Sequence, residues 1–263
     1  MNQKRIIRFF VLALLLLCVR FSSAQMWGVP NLTTFDDRSL HFGFTLGVNT
    51  HDLGFRHYAT LDENPDFDAG LLNDLYPDFM AEVDAEGRKI RADIATLVPG
   101  FTVGIVSNLR LTENLDLRFL PGLSFGARRV VFNVPLHDLN EPRNTNSYTL
   151  RSTYLDFPLL VKYKSKRIIN QRPYMIGGLA MRVDISKSAK EDLLRTRRMT
   201  FYIEAGMGWD MYLQFFRLSA ELKYSFGLNS MLAASPQHPQ PQYFSQAFKK
   251  LNSHILTLSF HFE

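Results

Sequence analysis

The chain is patterned in twos. Leu40–Asn49 reads LHFGFTLGVN, with Leu40, Phe42, Phe44, Leu46 and Val48 on one face and His41, Gly43, Thr45, Gly47 and Asn49 on the other. A period of two marks a strand whose two faces meet different surroundings. The same alternation predicts strands at Phe101–Leu109 (with Val106 as a blemish), Leu115–Phe125, Thr153–Lys164, Pro173–Asp184, Phe201–Leu213, Phe216–Phe226 and His254–Glu263. The last of these carries Leu256, Leu258, Phe260 and Phe262 on one side and Thr257, Ser259 and His261 on the other.

The connections carry as much information as the strands. Those after the second, fourth and sixth strands are short: Thr112–Asn114, Ser165–Arg172, and Gln214 with Phe215. Those after the first, third, fifth and seventh are long: Thr50–Gly100, Gly126–Ser152, Ile185–Thr200 and Gly227–Ser253. Short and long connections alternating over an even number of strands are the outer-membrane pattern. The expected fold is therefore all-β: an eight-stranded antiparallel up-and-down outer-membrane β-barrel, with short periplasmic turns, long external loops and both termini in the periplasm. A soluble lipocalin-like barrel is the main rival, and it would turn its large apolar residues inward around a ligand. Within the first long loop a short helix is expected near Asp78–Glu86, limited by Pro77 and Gly87. The last loop contains SPQHPQPQ (Ser235–Gln242), which reads as extended or mobile.

The first residues differ in kind. Lys4, Arg5 and Arg8 precede an apolar run from Phe9 to Val19, and Ser22-Ser23-Ala24 follows. This is a secretory signal, too short for a spanning helix, with cleavage expected between Ala24 and Gln25. The expected organisation is a signal at 1–24, a periplasmic segment at 25–38 and a barrel at 39–263. Cys18 is the only cysteine and leaves with the signal, so no disulfide or thiolate metal site is expected. Of 30 basic residues, Lys4, Arg5, Arg8 and Arg20 lie in the signal, leaving 26 against 25 acidic residues. The basic balance of the whole chain is therefore no nucleic-acid footprint, and no nucleic-acid motif accompanies it.

With the apolar face toward lipid, Arg118, Asp156, Lys162, Arg182, Glu204, Asp210, Arg217, Glu221 and Lys223 point inward. Eight strands leave a lumen that side chains fill. Buried charges at that density must pair, so a cross-strand ion-pair network is expected, and a conducting pathway is the sharper alternative. Chemistry is thin. His51 and His57 lie near Asp52 and Asp62 but match no metal-ligand spacing. His254 and His261 lie on opposite faces, and Ser259 faces inward beside His261. No nucleophile elbow, zincin or P-loop motif is present. Asn31-Leu32-Thr33 fits a glycosylation acceptor, a pattern common by chance. No enzyme activity, cofactor, metal, small-molecule substrate or nucleic-acid partner is expected.

Several stretches taken in order resemble the PorT family. Asn31-Leu32, Phe35-Asp36 and His41-Phe42-Gly43-Phe44 resemble its opening. Gly104–Leu111 leading into Leu115–Phe119 and Leu123–Gly126 resembles its second hairpin. Phe157–Leu160, Lys162-Tyr163, Ser165–Arg167, Arg172–Tyr174 and Gly177-Gly178 resemble its third, and Ser225–Asn229 with Leu258–Glu263 its close. The resemblance covers the chain after the signal except the long loops, and it departs most in the first of them. It implies an outer-membrane barrel of the Bacteroidetes, an accessory component of type IX secretion needed for export of cargo with a C-terminal targeting domain, tied in some relatives to gliding motility. It implies no catalytic residue. Its implied partners are outer-membrane lipid and other type IX components. Trp27 and Leu71–Tyr76 are candidate contacts with them. A structural or adhesin-type barrel and, behind it, a lipid A-modifying barrel enzyme are the alternatives.

Overall fold

The computed structural model describes residues 29–65, 67, 70, 73, 74, 77–136, 145–186, 197–232 and 247–263. Among the described residues there are nine strands: β1 Leu40–His57, β2 Ala92–Arg110, β3 Leu115–Phe119, β4 Gly122–Leu136, β5 Thr145–Lys164, β6 Gln171–Asp184, β7 Met199–Tyr212, β8 Arg217–Gly227 and β9 Phe248–Phe262. All pair antiparallel with their neighbours. β1 pairs with both β2 and β9, so the sheet closes on itself.

The sequence suggests a single strand at Leu115–Phe125. The structure breaks it into β3 and β4 at Leu120-Pro121. Proline has no N–H to donate to a ladder. The wall is stitched across the gap all the same: Ile105 N–H donates to the Pro121 carbonyl (2.9 Å) and Leu120 N–H to the Pro158 carbonyl (3.1 Å). β3 and β4 both lie between β2 and β5, so together they fill one place in the wall. The barrel thus has eight places, joined up-and-down.

Along most of its height the barrel is inside out. Phe42 is 64% exposed, Leu179 62% and Met207 63%, while Arg118, Lys162 and Glu204 on the inner side are 0% exposed. A soluble protein does not expose a continuous apolar belt of this size; lipid covers it. Among the described residues no helix is long and apolar enough to cross a membrane. Val106, the irregular position of its strand, points inward and packs with Leu120, Leu160, Tyr174 and Ile176 in a small apolar layer.

Away from the termini the two faces exchange character. On β1, Leu40 to Val48 are exposed at alternate positions, but beyond Thr50 the exposed residues are Asp52, Gly54 and Arg56, and Leu53 turns inward. On β4, Arg129 and Asn133 face out while Val130 and Phe132 are buried. β9 does the same, with Leu251 and Phe248 buried beyond its lipid-facing half. This far part of the barrel is ordinary soluble protein: polar outside, apolar inside. Its core joins Leu53, Leu61, Met80, Val83, Ile90, Val130, Phe132, Leu150, Met231, Phe248 and Leu251.

This inversion corrects the sequence reading of the long loops. β1 runs eight residues past Asn49, and β2 begins nine before Phe101, so the first loop shrinks to residues 58–91. A helix, α1, spans Pro77–Ala85. Proline suits a first helical position, where its missing N–H is no loss. Gly87 takes φ +65° just past the end, the left-handed conformation that suits glycine. Met80 and Val83, three apart on one helix face, enter the far core. Arg88 fastens the helix end, donating to Asp84 and Asp62 at 2.8 Å each. These hydrogen bonds, the one to Asp84 first, raise its guanidinium further above its usual range.

Candidate functional site: a charged lumen closed at both ends

The nine charges expected inside the barrel all sit on its inner wall, each at most 6% exposed. They fall into two groups. Nearer the termini, Arg118 Nη1 donates to Glu221 (2.7 Å) and Lys162 Nζ to Asp210 (2.7 Å), with Arg217 3.9 Å from Asp210. Farther in, Arg182 lies 2.7 Å from Glu204 and 3.2 Å from Asp156, and Lys223 lies 2.8 Å from Glu204. Neutral donors complete the acids. Tyr174 donates to Glu221 (2.9 Å), Ser219 to Asp210 (2.6 Å), Ser225 to Glu204 (2.7 Å) and Ser124 to Asp156. Buried charges are tolerable only with this degree of partnering.

Further residues join the network beyond these nine. Glu263 accepts from Arg118, Arg217 and Asn108, and Lys164 pairs with Asp116 at 2.6 Å. The signal was present: Asp116 is two residues from Arg118, Lys164 two from Lys162, and Glu263 two from His261, so the same period of two assigns them inward. Arg128 and His51 also face in, joined at 3.0 Å, with Tyr154 accepting from the same guanidinium nitrogen at 3.0 Å.

A cavity of about 30 Å³, lined by Thr45, Ser124, Asp156, Arg182, Lys223 and His261 among others, has room for about two water molecules.

Residues 29–38 close the mouth at the end where β1 begins and β9 finishes. A 3-10 turn at Phe35–Asp37 sets Phe35 against His41, ring centroids 4.3 Å apart, and under the Arg217 guanidinium at 4.7 Å. Asp36 accepts from the Tyr212 hydroxyl at 2.9 Å and faces Arg172 at 3.4 Å. Asn31 N–H donates to Asn170 Oδ1 (2.7 Å), and Arg167 donates to the Leu32 carbonyl (3.2 Å). No strand periodicity extends to Asp36, so alternation gave no hint of its place. Asp36→Asn is expected to loosen this closure by about 1–3 kcal/mol, the range for removing one partner of buried polar groups. Limited proteolysis would then cut within 29–38, with β6–β8 still protected. Unchanged cleavage would mean that the carboxylate does not hold the segment.

The histidines do not assemble. His57 accepts from Ala92 N–H at 2.9 Å at the far end of β1, Asp62 is held by Arg88, and Asp52 is exposed. Among the described residues no cluster of three or more His, Cys, Asp or Glu could hold a metal. His261 points inward, 3.3 Å from Glu221, and Ser259 is buried on the same wall. His254 packs outside against Phe226. The Ala24–Gln25 cleavage point, Trp27, most of Leu71–Tyr76 and Ser235–Gln242 lie outside the described residues.

An apolar belt, a closed antiparallel wall and a polar packed interior together define an up-and-down barrel of the outer membrane. The chain matches the outer membrane protein beta-barrel domain family over residues 23–233, and it belongs to that family. No curated protein matches it. Among solved structures it is similar to the N-terminal β-barrel domain of Pseudomonas aeruginosa OprF, with 14% identity, 83% of this chain and 97% of that chain covered, and a TM-score of 0.32. It is also similar to Ail, the attachment invasion locus protein of Yersinia pestis, with 8% identity, 86% and 98% covered, and a TM-score of 0.32.

Proposed function

We propose that the protein is a non-enzymatic, non-conducting structural barrel of the outer membrane, with its termini in the periplasm and its far end outside the cell. The observation that carries this reading is the lumen: paired charges fill it, residues 29–38 cover one mouth, and an apolar core occupies the other. The orientation rests on the short connections at the terminal end, 111–114, 165–170 and 213–216, since short turns are periplasmic in such barrels. Purified protein in planar bilayers is expected to give no unitary conductance. Discrete ohmic steps that disappear with the protein would overturn the reading.

The more specific role is an accessory one in type IX secretion, exercised through contacts with other components of that machinery and with membrane lipid, not through a small-molecule substrate, cofactor or nucleic acid. The PorT-like order of motifs supports it. So does the work done by the residues of the PorT-like opening: Asn31, Phe35, Asp36 and His41 build the terminal closure. A clean deletion in the native organism, with a reporter carrying a type IX targeting domain, tests it. The reporter is expected to collect in the periplasm and to return to the surface on complementation. Normal surface display would leave the structural barrel and remove the secretion role.

A further inference from the structure

The outer wall of β4 and β5 turns from apolar to basic within a short rise. Outward positions on β4 run Leu123, Phe125, Ala127 and Arg129. On β5, in register with them, run Leu155, Thr153, Arg151 and Thr149. Arg151 stands opposite Ala127 and Arg129 opposite Thr149, which makes the two arginines diagonal neighbours on one face. Such neighbours lie about 7–8 Å apart, well within reach of long side chains. Both are exposed, and among the described residues neither has a carboxylate at ion-pair distance. Asp93 on β2, opposite Val131, is the acid nearest in register, and its Oδ1 is taken by the Ile94 N–H at 2.8 Å.

The height of the pair gives it meaning. Phe125, stacked on Phe101 with centroids 4.5 Å apart, marks the top of the apolar belt on this side. Arg151 lies two residues above that level, roughly 7 Å along the strand. That is where the hydrocarbon ends and lipid phosphates begin. The opposite wall differs. At the matching height β1 and β9 offer Thr50, Asp52, His254 and Asn252, and the cations Arg56 and Lys250 stand several residues higher. At this height the β1–β9 side therefore carries no outward cation. Two adjacent guanidiniums with no carboxylate at ion-pair distance among the described residues repel each other, and a phosphate between them would take charge-assisted hydrogen bonds from both planar forks.

We propose that Arg129 and Arg151 form a docking site for a phosphorylated lipid headgroup, and that the occupant is the phosphorylated glycolipid of the outer leaflet. The choice of leaflet rests on the orientation proposed above. The protein would then carry a fixed lipid on its β4–β5 side and present that side, not the β1–β9 side, to the glycolipid layer.

The test uses the whole folded protein in a zwitterionic detergent, titrated with bisphosphorylated lipid A and with the same lipid stripped of phosphate. Bound lipid is read by native mass spectrometry. The wild type is expected to retain the phosphorylated form. R129Q/R151Q should lose at least tenfold in affinity while keeping its heat-modifiable gel shift, and R56Q/K250Q should bind like the wild type. Equal binding by R129Q/R151Q, equal retention of the stripped lipid, or equally tight binding of inorganic pyrophosphate alone would overturn the site. Maleimide labelling of intact cells carrying E86C or E113C tests the orientation separately. Labelling at E86C supports the outer-leaflet assignment. Labelling at E113C alone overturns that assignment and the orientation, whatever the lipid titration gives.

Discussion

Replacing Arg118 by methionine is expected to destabilise the barrel by about 3–5 kcal/mol, the cost of breaking a buried ion pair from one side. Arg118 is fully buried on β3 and reaches three strands. Its Nη1 donates to Glu221 at 2.7 Å, its Nη2 to Glu263 at 3.2 Å and its Nε to Asn108 at 2.8 Å, and its guanidinium lies 5.4 Å from the Tyr174 ring centroid. Methionine fills much of the volume, so packing loss is the smaller part. The larger part is stranded acid. Glu263 keeps Arg217 and Asn108, whereas Glu221 keeps only Tyr174 and a histidine at 3.3 Å. The cost should therefore fall on Glu221, and R118M/E221Q should recover more than 1 kcal/mol of it, a coupling typical of direct partners. Urea unfolding from liposomes, followed by tryptophan fluorescence, measures both variants. If the two substitutions are simply additive, Arg118 is not the hub described here.

Phe248→Ala is expected to cost about as much, roughly 3–5 kcal/mol for a large buried aromatic, but in a different place. Phe248 is 2% exposed, and its ring centroid lies 5.3 Å from that of Phe55, 5.2 Å from His57 and 6.3 Å from Phe132. It ties three strands together beyond the lipid boundary. The membrane-embedded part owes its stability to other contacts: the charged lumen and the lipid around it. The far part should therefore open without unfolding the barrel. Hydrogen exchange is expected to accelerate at 53–57, 130–132 and 248–251 and to stay slow across β6, β7 and β8. Uniform acceleration over all strands would show instead that the two parts unfold as one unit.

These two residues also mark what could and could not be read from the chain. Arg118 lies where alternation works: lipid outside and charge inside give Leu115–Phe119 an unambiguous pair of faces. The closed antiparallel barrel and the short turns follow from the same rule. Phe248 lies where it stops working. Beyond Thr50 on β1 and His254 on β9 the inner face becomes the apolar one, so a test that expects a single apolar face reads the far halves of these strands as loop. Pro121 hides a different fact, since a period of two passes through Leu120-Pro121 undisturbed although the ladder does not. Lys164, Asp116 and Glu263 were legible by parity alone. Asp36 was not, because its position depends on Tyr212 and Arg172, which are far away in sequence.

The exchange of faces has a consequence for how such a chain drifts over generations. Hydrocarbon is fluid and has no shape to match, so Phe42, Leu46 or Val48 can be replaced by almost any apolar side chain at little cost. Leu53, a few residues along the same strand, fills a cavity with fixed walls and tolerates far fewer. Asp52, between them and facing water, is nearly free again. Three regimes of tolerance thus succeed one another within a single strand, and mutational scanning of β1 should recover the height of the membrane from the survivors alone.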